Sequence, residues 1–105
     1  MHAFDVLGDP VRRRILELVA DGELAAGAIG EPIQREFGIS QPAVSQHLAA
    51  LKDAGLVDGR REGRCVYYRV EPRGMKPLID WIAHYRAFWP KHVERLERLL
   101  EKMDE

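Results

Sequence analysis

The segment from Gly38 to Tyr68 constrains the fold more than any other part of the chain. Ser40 is a favourable N-cap, because its hydroxyl can accept a hydrogen bond from a free backbone N–H of a first helical turn. Pro42 suits that first turn, where a missing N–H removes no helical hydrogen bond. The next apolar residues recur at helical spacing and form one stripe: Val44, Leu48 and Leu51. The pattern predicts a short amphipathic helix at about residues 41–54.

The residues that follow this helix predict a β-hairpin rich in arginine. Gly55-Leu56-Val57 ends the helix and enters a strand, and the chain then alternates on either side of a tip at Glu62-Gly63. We place the hairpin at about residues 57–70, with Arg60, Arg61 and Arg64 near its tip. The helix side chains off the apolar stripe are short or carry amides, which suits a helix that enters a DNA major groove: Gln41, Ala43, Ser45 and Gln46.

The residues before Gly38 predict the helices that support this unit. A short helix at about residues 2–7 places Phe4 and Leu7 on one side. Asp9-Pro10 starts a second helix, which runs to about Ala20. A third helix precedes Gly38, and we expect Gly38 to be its C-cap. We expect this helix to be interrupted or restarted around Gly30-Glu31-Pro32. This third helix is the first helix of a predicted helix-turn-helix.

The last part of the chain predicts a long apolar helix. Pro72-Arg73-Gly74 is expected to break the chain, and the helix is expected from about residue 75 to 103. Pro90 either kinks this helix or divides it in two. Its apolar stripe is too large for one small domain to cover, so we expect it to form a homodimer interface with the first helix. The interface residues we expect are Phe4, Leu7, Ile79, Ile82, Tyr85, Phe88, Trp89, Val93 and Leu96.

Length and composition narrow the class of protein. The chain has 105 residues, enough for the single domain that we expect over residues 1–105. No apolar run is long enough to span a bilayer, the N-terminus does not resemble a signal peptide, and the single cysteine, Cys65, fits a reducing cytoplasm. The net charge is −1, but residues 40–76 hold seven basic and four acidic side chains. The basic excess therefore falls on the predicted helix and hairpin.

Three stretches of the chain together resemble the ArsR/SmtB family of bacterial winged-helix repressors. They read LGDPVRRRILELVADGE, FGISQPAVSQHLAALKDAGLV and REGRCVYYRV. The ending, AHYRAFWPKHVERLERLL, resembles a subgroup that lacks the metal sites of the family. The resemblance implies a mainly α fold with a small β-hairpin (α+β), namely a winged helix-turn-helix with a long C-terminal dimerisation helix. It also implies a homodimer that represses transcription at an inverted repeat in double-stranded DNA.

The resemblance assigns DNA-facing positions residue by residue. Gln41 and Gln46 could each pair with adenine or donate to a phosphate. His47 could donate to a phosphate or pack against the hairpin, which the family calls the wing. The positions carried over to DNA binding are Ser40, Gln41, Pro42, Ala43, Ser45, Gln46 and His47 on the recognition helix, with Arg60, Arg61 and Arg64 on the wing.

The sequence departs from the family at its metal sites. The helix that carries a cysteine pair in the family reads LAAGAIGEPIQREFG here and contains neither cysteine nor histidine. Asp80 and His84 lie four residues apart, with His92 further along, but the usual spacing of the family's ligands is not reproduced. We therefore expect no metal and no other cofactor.

Two alternatives to a plain repressor stay open, and both describe a responsive switch. Cys65 lies near Arg61 and Arg64, which would favour its thiolate form and make the wing sensitive to oxidants. The aromatic cluster Trp81, Tyr85, Phe88 and Trp89 could line a pocket for an apolar effector, although plain interface core is the favoured explanation. The sequence assigns no effector. It contains no Gly-rich phosphate loop and no catalytic arrangement of side chains, so we expect no enzyme activity.

Overall fold

A computed structural model describes residues 3–104, apart from the side chains of Ala3, Phe4 and Phe88. Its elements are α1 (Ala3–Val6), α2 (Pro10–Val19), β1 (Leu24–Ala25), α3 (Ala26–Phe37), α4 (Gln41–Asp53), β2 (Val57–Glu62), β3 (Cys65–Val70), α5 (Pro72–Phe88) and α6 (Pro90–Met103). The chain divides into two compact units, Met1–Met75 and Lys76–Glu105. The predicted fold class, mainly α with a small sheet, is confirmed. The expectation of one domain stays a prediction.

Local capping chemistry sets the start of α2 where the sequence predicted it. The Asp9 carboxylate accepts hydrogen bonds from the backbone N–H groups of Val11 at 2.8 Å and Arg12 at 3.4 Å. Pro10 occupies the first helical position, where no N–H is needed. The helix ends at Val19, with Ala20 as its C-cap. For the first helix the structure gives Ala3–Val6; His2, which we had included, lies outside the described residues.

The predicted interruption of α3 is wrong. This helix runs unbroken from Ala26 to Phe37 with Pro32 inside it, and Gly38 caps it in the left-handed conformation at φ 64°. Pro32 has no N–H to donate to the carbonyl of Ala28, but Ala28 is exposed, so water can satisfy that oxygen. Ile29 and Ile33, on either side of the proline, are fully buried. Their packing keeps the segment helical despite the proline.

The recognition helix α4 begins and ends as predicted. The Ser40 hydroxyl accepts a hydrogen bond from Ala43 N–H at 3.3 Å. At the other end Gly55 adopts φ 75°, and the N–H of Leu56 donates to the carbonyl of Leu51 at 3.0 Å. This backward bond closes the helix and directs the chain into β2.

The sheet has three strands in the order β1-β3-β2, all antiparallel, rather than the two strands predicted. In the extra strand, Leu24 pairs with Tyr68 and Ala25 with Tyr67. Two residues are too few to show an alternating pattern, so β1 could not be predicted from the sequence. The hairpin tip also differs by one residue. Glu62 pairs with Cys65, so the two-residue turn is Gly63-Arg64, with Gly63 at φ 61°.

Apolar side chains of α2, α3 and α4 meet in the core of the first unit. Burying this set fixes the helix-turn-helix against α2 and leaves the opposite face of α4 in solvent. The core residues include Val6, Val11, Ile15, Leu16, Val19, Ile29, Ile33, Val44, Leu48, Leu51, Leu56 and Val57.

The last segment is two helices, and the first of them begins earlier than predicted. Pro72-Arg73-Gly74 does not break the chain, because Pro72 is the first residue of α5, a position that proline tolerates. The division falls at Trp89, whose φ of −128° and ψ of 36° are not helical. The residue before a proline is disfavoured in the helical conformation, so Pro90 accounts for the break. None of the helices described is long and apolar enough to cross a bilayer.

Candidate nucleic-acid interface

One face of α4 is polar and exposed, opposite the stripe that packs into the core. Ser45 and Gln46 are exposed one turn into the helix, and Ser40 and Pro42 are exposed at its start. Ala43 is half-buried. A helix that presents small and amide side chains on its free face can enter a major groove and reach base edges.

The side chain of Gln41 is held against α3. Its Oε1 accepts a hydrogen bond from Gln34 Nε2 at 2.9 Å. The same oxygen lies 2.7 Å from the point where a Cβ would stand on Gly30. The amide therefore occupies a space beside Gly30 and Gln34, which we call the seat of Gln41. A side chain at position 30 would fill this space.

His47 contacts the N-terminal turn of α2. Its Nδ1 accepts a hydrogen bond from Arg12 Nε at 3.1 Å and lies 4.0 Å from Asp9 Oδ2. The imidazole side chain is 19% exposed. These contacts join the N-terminal turn of α2 to the recognition helix and place the Arg12 side chain beside that helix.

Arg60, which we had expected at the DNA, is engaged within the chain. Its guanidinium donates to both carboxylate oxygens of Glu23 at 2.7–3.0 Å and to Glu62 Oε2 at 2.8 Å. It also lies over the Tyr67 ring, 4.8 Å from the centroid. Hydrogen bonds from Arg60 are the main reason that the pKa of Glu23 is lowered. The pair therefore persists at neutral pH and is lost only as the pH falls through that lowered value.

Two cations at the end of the wing differ from Arg60 in having no acidic partner among the described residues. Arg61 lies at the end of β2 and Arg64 in the turn, and both are exposed. Further from the tip, Arg69 pairs with Asp58 of the neighbouring strand, and its Nη2 lies 3.4 Å from Asp58 Oδ2. The positive charge that the wing offers to a ligand is therefore concentrated at its tip.

On α2, Arg14 resembles Arg60 in being paired with acidic residues of the chain. It donates to Glu36 at 2.9 and 3.1 Å and to Glu17 at 3.1 Å. These bonds raise the pKa of Arg14 and lower that of Glu36. Arg14 thus ties α2 to the end of α3 and stabilises the support of the helix-turn-helix.

Comparison with known proteins agrees with this geometry. The family model described as "Bacterial regulatory protein, arsR family" matches residues 9–58. The HTH-type transcriptional regulator Rv2034 of Mycobacterium tuberculosis is 42% identical over 95% of this chain and 87% of its own length. The chain belongs to the arsR family. The transcriptional repressor SdpR of Bacillus subtilis is 34% identical over 80% of this chain and 89% of its own length.

Solved structures place this arsR-family chain among winged helix-turn-helix proteins. A crystal structure described as a possible transcriptional regulator for arsenical resistance superposes with a TM-score of 0.68 at 36% identity, covering 90% of this chain and 91% of the other. A solution structure from Mycobacterium bovis, described as a homodimeric winged helix-turn-helix DNA-binding domain, gives 0.59 at 34% identity, covering 77% and 74%. The chain is a transcriptional regulator with this fold and not an enzyme.

The metal ligands that some arsR-family members use have no counterpart in α3, which contains neither cysteine nor histidine. On α5, Asp80 accepts a hydrogen bond from Lys76 Nζ at 2.6 Å, and His84 is exposed. His92, on α6, packs edge-on against Trp89 at 5.1 Å. In the part of the chain that the structure describes, no three potential ligands cluster. The absence of a metal stays a prediction.

Cys65 is a free, exposed thiol at the first position of β3, opposite Glu62 and beside the turn. Its place next to Arg64 is as the sequence suggested. Nothing in the geometry gives it a reaction partner within the described wing, so its role as a redox sensor stays a prediction.

The second unit exposes much of the apolar stripe predicted for dimerisation. Trp81, Tyr85 and Trp89 follow one another at helical spacing, with ring centroids 5.4 and 6.3 Å apart. Trp81 and Tyr85 border an apolar groove of about 340 Å³ between α5 and α6. Leu7 and Val93 are half-buried, and the side chains of Phe4 and Phe88 lie outside the described part. The large apolar side chains left exposed here are Ile79, Trp81, Ile82, Trp89, Leu96, Leu99, Leu100 and Met103.

Sequence reasoning missed three residues that shape the interface. Gln34 and Gly30 hold Gln41, and Glu23 holds Arg60. A glycine inside a helix, followed four residues later by a glutamine, was the available signal for the first pair. No local signal identifies Glu23, because it lies 37 residues from its partner.

Proposed function

We propose that the chain is a homodimeric repressor that binds double-stranded DNA at an inverted-repeat operator. The observation that carries this is the exposed polar face of α4, next to a wing whose tip arginines no described acid neutralises. Family membership supports the proposal, and so does the similarity to a relative described as a transcriptional repressor, SdpR, and to one described as a transcriptional regulator, Rv2034. A bacterial regulator of this kind acts in the cytoplasm, where the DNA lies.

In the proposed complex α4 lies in the major groove and the wing follows the backbone. Ser45 and Gln46 reach base edges, and Gln46 has both a donor and an acceptor for adenine. Arg61 and Arg64 contact phosphates, which position the protein without reading sequence. Arg60 keeps its bonds to Glu23 and shapes the wing instead of contacting DNA.

A second copy of the chain covers the exposed apolar surface of α5 and α6. Soluble monomers rarely leave so many large apolar side chains in solvent, and α6 has no buried residue. The Mycobacterium bovis neighbour is described as homodimeric. Two recognition helices related by a two-fold axis match an inverted repeat with half-sites one helical turn apart.

Repression follows from occupancy, since a dimer on a promoter blocks polymerase access. We further propose that the operator includes the region upstream of the protein's own gene. Fluorescence anisotropy on that DNA and on a shuffled duplex, over a salt series, tests the proposal. Preference for the upstream fragment with a steep salt dependence is expected. Weak, equal binding to both duplexes with little salt dependence would contradict DNA binding as the function.

We expect Gln46→Ala to reduce sequence discrimination. The variant loses a bidentate base contact, so its affinity for the operator should fall by about 1–3 kcal/mol in each half-site while affinity for shuffled DNA changes little. Competition binding with the two duplexes measures the ratio. An unchanged ratio would remove Gln46 from the readout.

Arg61→Ala should weaken binding to all DNA sequences alike. Losing one phosphate contact reduces the slope of log affinity against log salt by about 1 per subunit. Arg60→Ala is the matched control, because the same substitution removes an arginine already held by Glu23 and Glu62. The two slopes are compared by anisotropy. A larger slope change for the Arg60 variant would reverse the assignment of the two arginines.

A further inference from the structure

The side-chain amide of Gln41 is fixed by two residues of the preceding helix. Its Oε1 accepts from Gln34 Nε2 at 2.9 Å, and it lies 2.7 Å from where a Cβ on Gly30 would be. Gln34 and Gly30 are four residues apart on α3 and therefore share one face of that helix. The seat is a feature of the helix-turn-helix itself, built across its turn.

This seat limits what Gln41 can do at DNA. A glutamine that recognises adenine must present its oxygen to N6 and its nitrogen to N7 together. Gln34 engages the oxygen of Gln41, whereas the N–H donors of the same amide have no partner among the described residues and are free to meet a ligand.

We propose that Gln41 is a fixed donor to a backbone phosphate, with Gln34 and Gly30 as its positioning residues. It then sets the register of α4 on the duplex and leaves adenine recognition to Gln46. This inference rests on the proposed DNA binding. A donor alone does not distinguish adenine from guanine, since both offer N7 as an acceptor in the major groove.

The chain supplies a matched pair of substitutions that test the seat without touching Gln41. Gly30→Ala places a methyl group on the seat and displaces the amide, whereas at Gly27, on the same helix, a Cβ meets nothing within 4 Å. The atom displaced is the far end of a flexible side chain, so we expect Gly30→Ala to fold. Thermal unfolding checks this, and Gln34→Ala releases Gln41 without adding an atom.

Gln41→Ala should lower affinity about tenfold for operator and shuffled DNA alike, leaving their ratio unchanged. Gly30→Ala and Gln34→Ala should give the same uniform loss, and Gly27→Ala none. In the Gln41→Ala background, Gly30→Ala should have no further effect, since coupled residues are not additive. Single operator phosphates can be replaced with neutral methylphosphonates. At one position this replacement should lower the affinity of the parent protein but not the affinity of Gln41→Ala.

The inference is overturned if Gln41→Ala lowers the ratio of operator to shuffled binding, because Gln41 would then read a base. It is also overturned if Gly30→Ala behaves like Gly27→Ala, or if no methylphosphonate position distinguishes the parent from Gln41→Ala. Failure of the proposed function is distinguished by the parent protein, which would then bind operator and shuffled duplexes equally and without salt dependence.

Discussion

Leu96→Glu should convert the protein to a monomer and lower its operator affinity by roughly a hundredfold or more, because one recognition helix then binds without the other. Leu96 is 52% exposed on α6, a helix without buried residues, so the substitution removes no fully buried side chain. A carboxylate at this position cannot be covered by an apolar partner surface without a large desolvation penalty. Sedimentation velocity measures the mass, and anisotropy measures the affinity.

Arg95→Gln is the control for this variant. It lies next to Leu96 and makes the same change of −1 in net charge, but it replaces a polar side chain. It should remain dimeric and bind the operator with an affinity close to that of the parent, after allowance for the weaker electrostatic attraction. A Leu96→Glu protein that stays dimeric would show that the interface lies elsewhere on the chain.

The largest stability effect should come from Gly74→Ala. A Cβ on Gly74 would overlap the backbone carbonyl of Gly55, in the turn that leads from α4 into β2. Neither partner is a flexible side chain, so backbone must move, and overpacking of this kind costs about 3 kcal/mol. The free energy of unfolding, measured by urea titration, should fall by that amount.

Gly27→Ala is the matched control for the stability experiment. Gly27 lies within α3, where a Cβ meets nothing within 4 Å. Alanine favours the helical conformation over glycine by up to about 1 kcal/mol, so this variant should be as stable as the parent or more so. Equal stability of the Gly74 and Gly27 variants would mean that α5 does not begin as closely against the turn at Gly55 as described.

The elements predicted correctly from the sequence are those set by local chemistry. Asp9 and Ser40 cap helices, and Gly38 and Gly55 end them, because each role depends on a few neighbouring residues. The fold class and the family followed from the same local patterns. The continuity of α3 through Pro32 was not predictable in this way, since it depends on the burial of Ile29 and Ile33 in the assembled core.

Contacts between distant residues account for several other differences. Strand β1 exists because Leu24 and Ala25 meet β3 more than forty residues later, with no pattern of their own to reveal it. The partners of His47 and Arg60 lie 35 and 37 residues away. The sequence therefore identified which side chains belong to the interface region, but not which of them are held by other residues. Arg61 and Arg64 differ from Arg60 only in that tertiary setting.

Selection of binding sites from a random duplex library tests whether the protein is a dimeric, sequence-specific repressor. A dimeric repressor should enrich an inverted repeat whose half-site centres lie about one helical turn, or roughly 10 base pairs, apart. We also expect two protein chains per duplex in the complex with the selected sequence. Recovery of no common sequence, or of a single unrepeated half-site bound by one chain, would contradict a dimeric sequence-specific repressor.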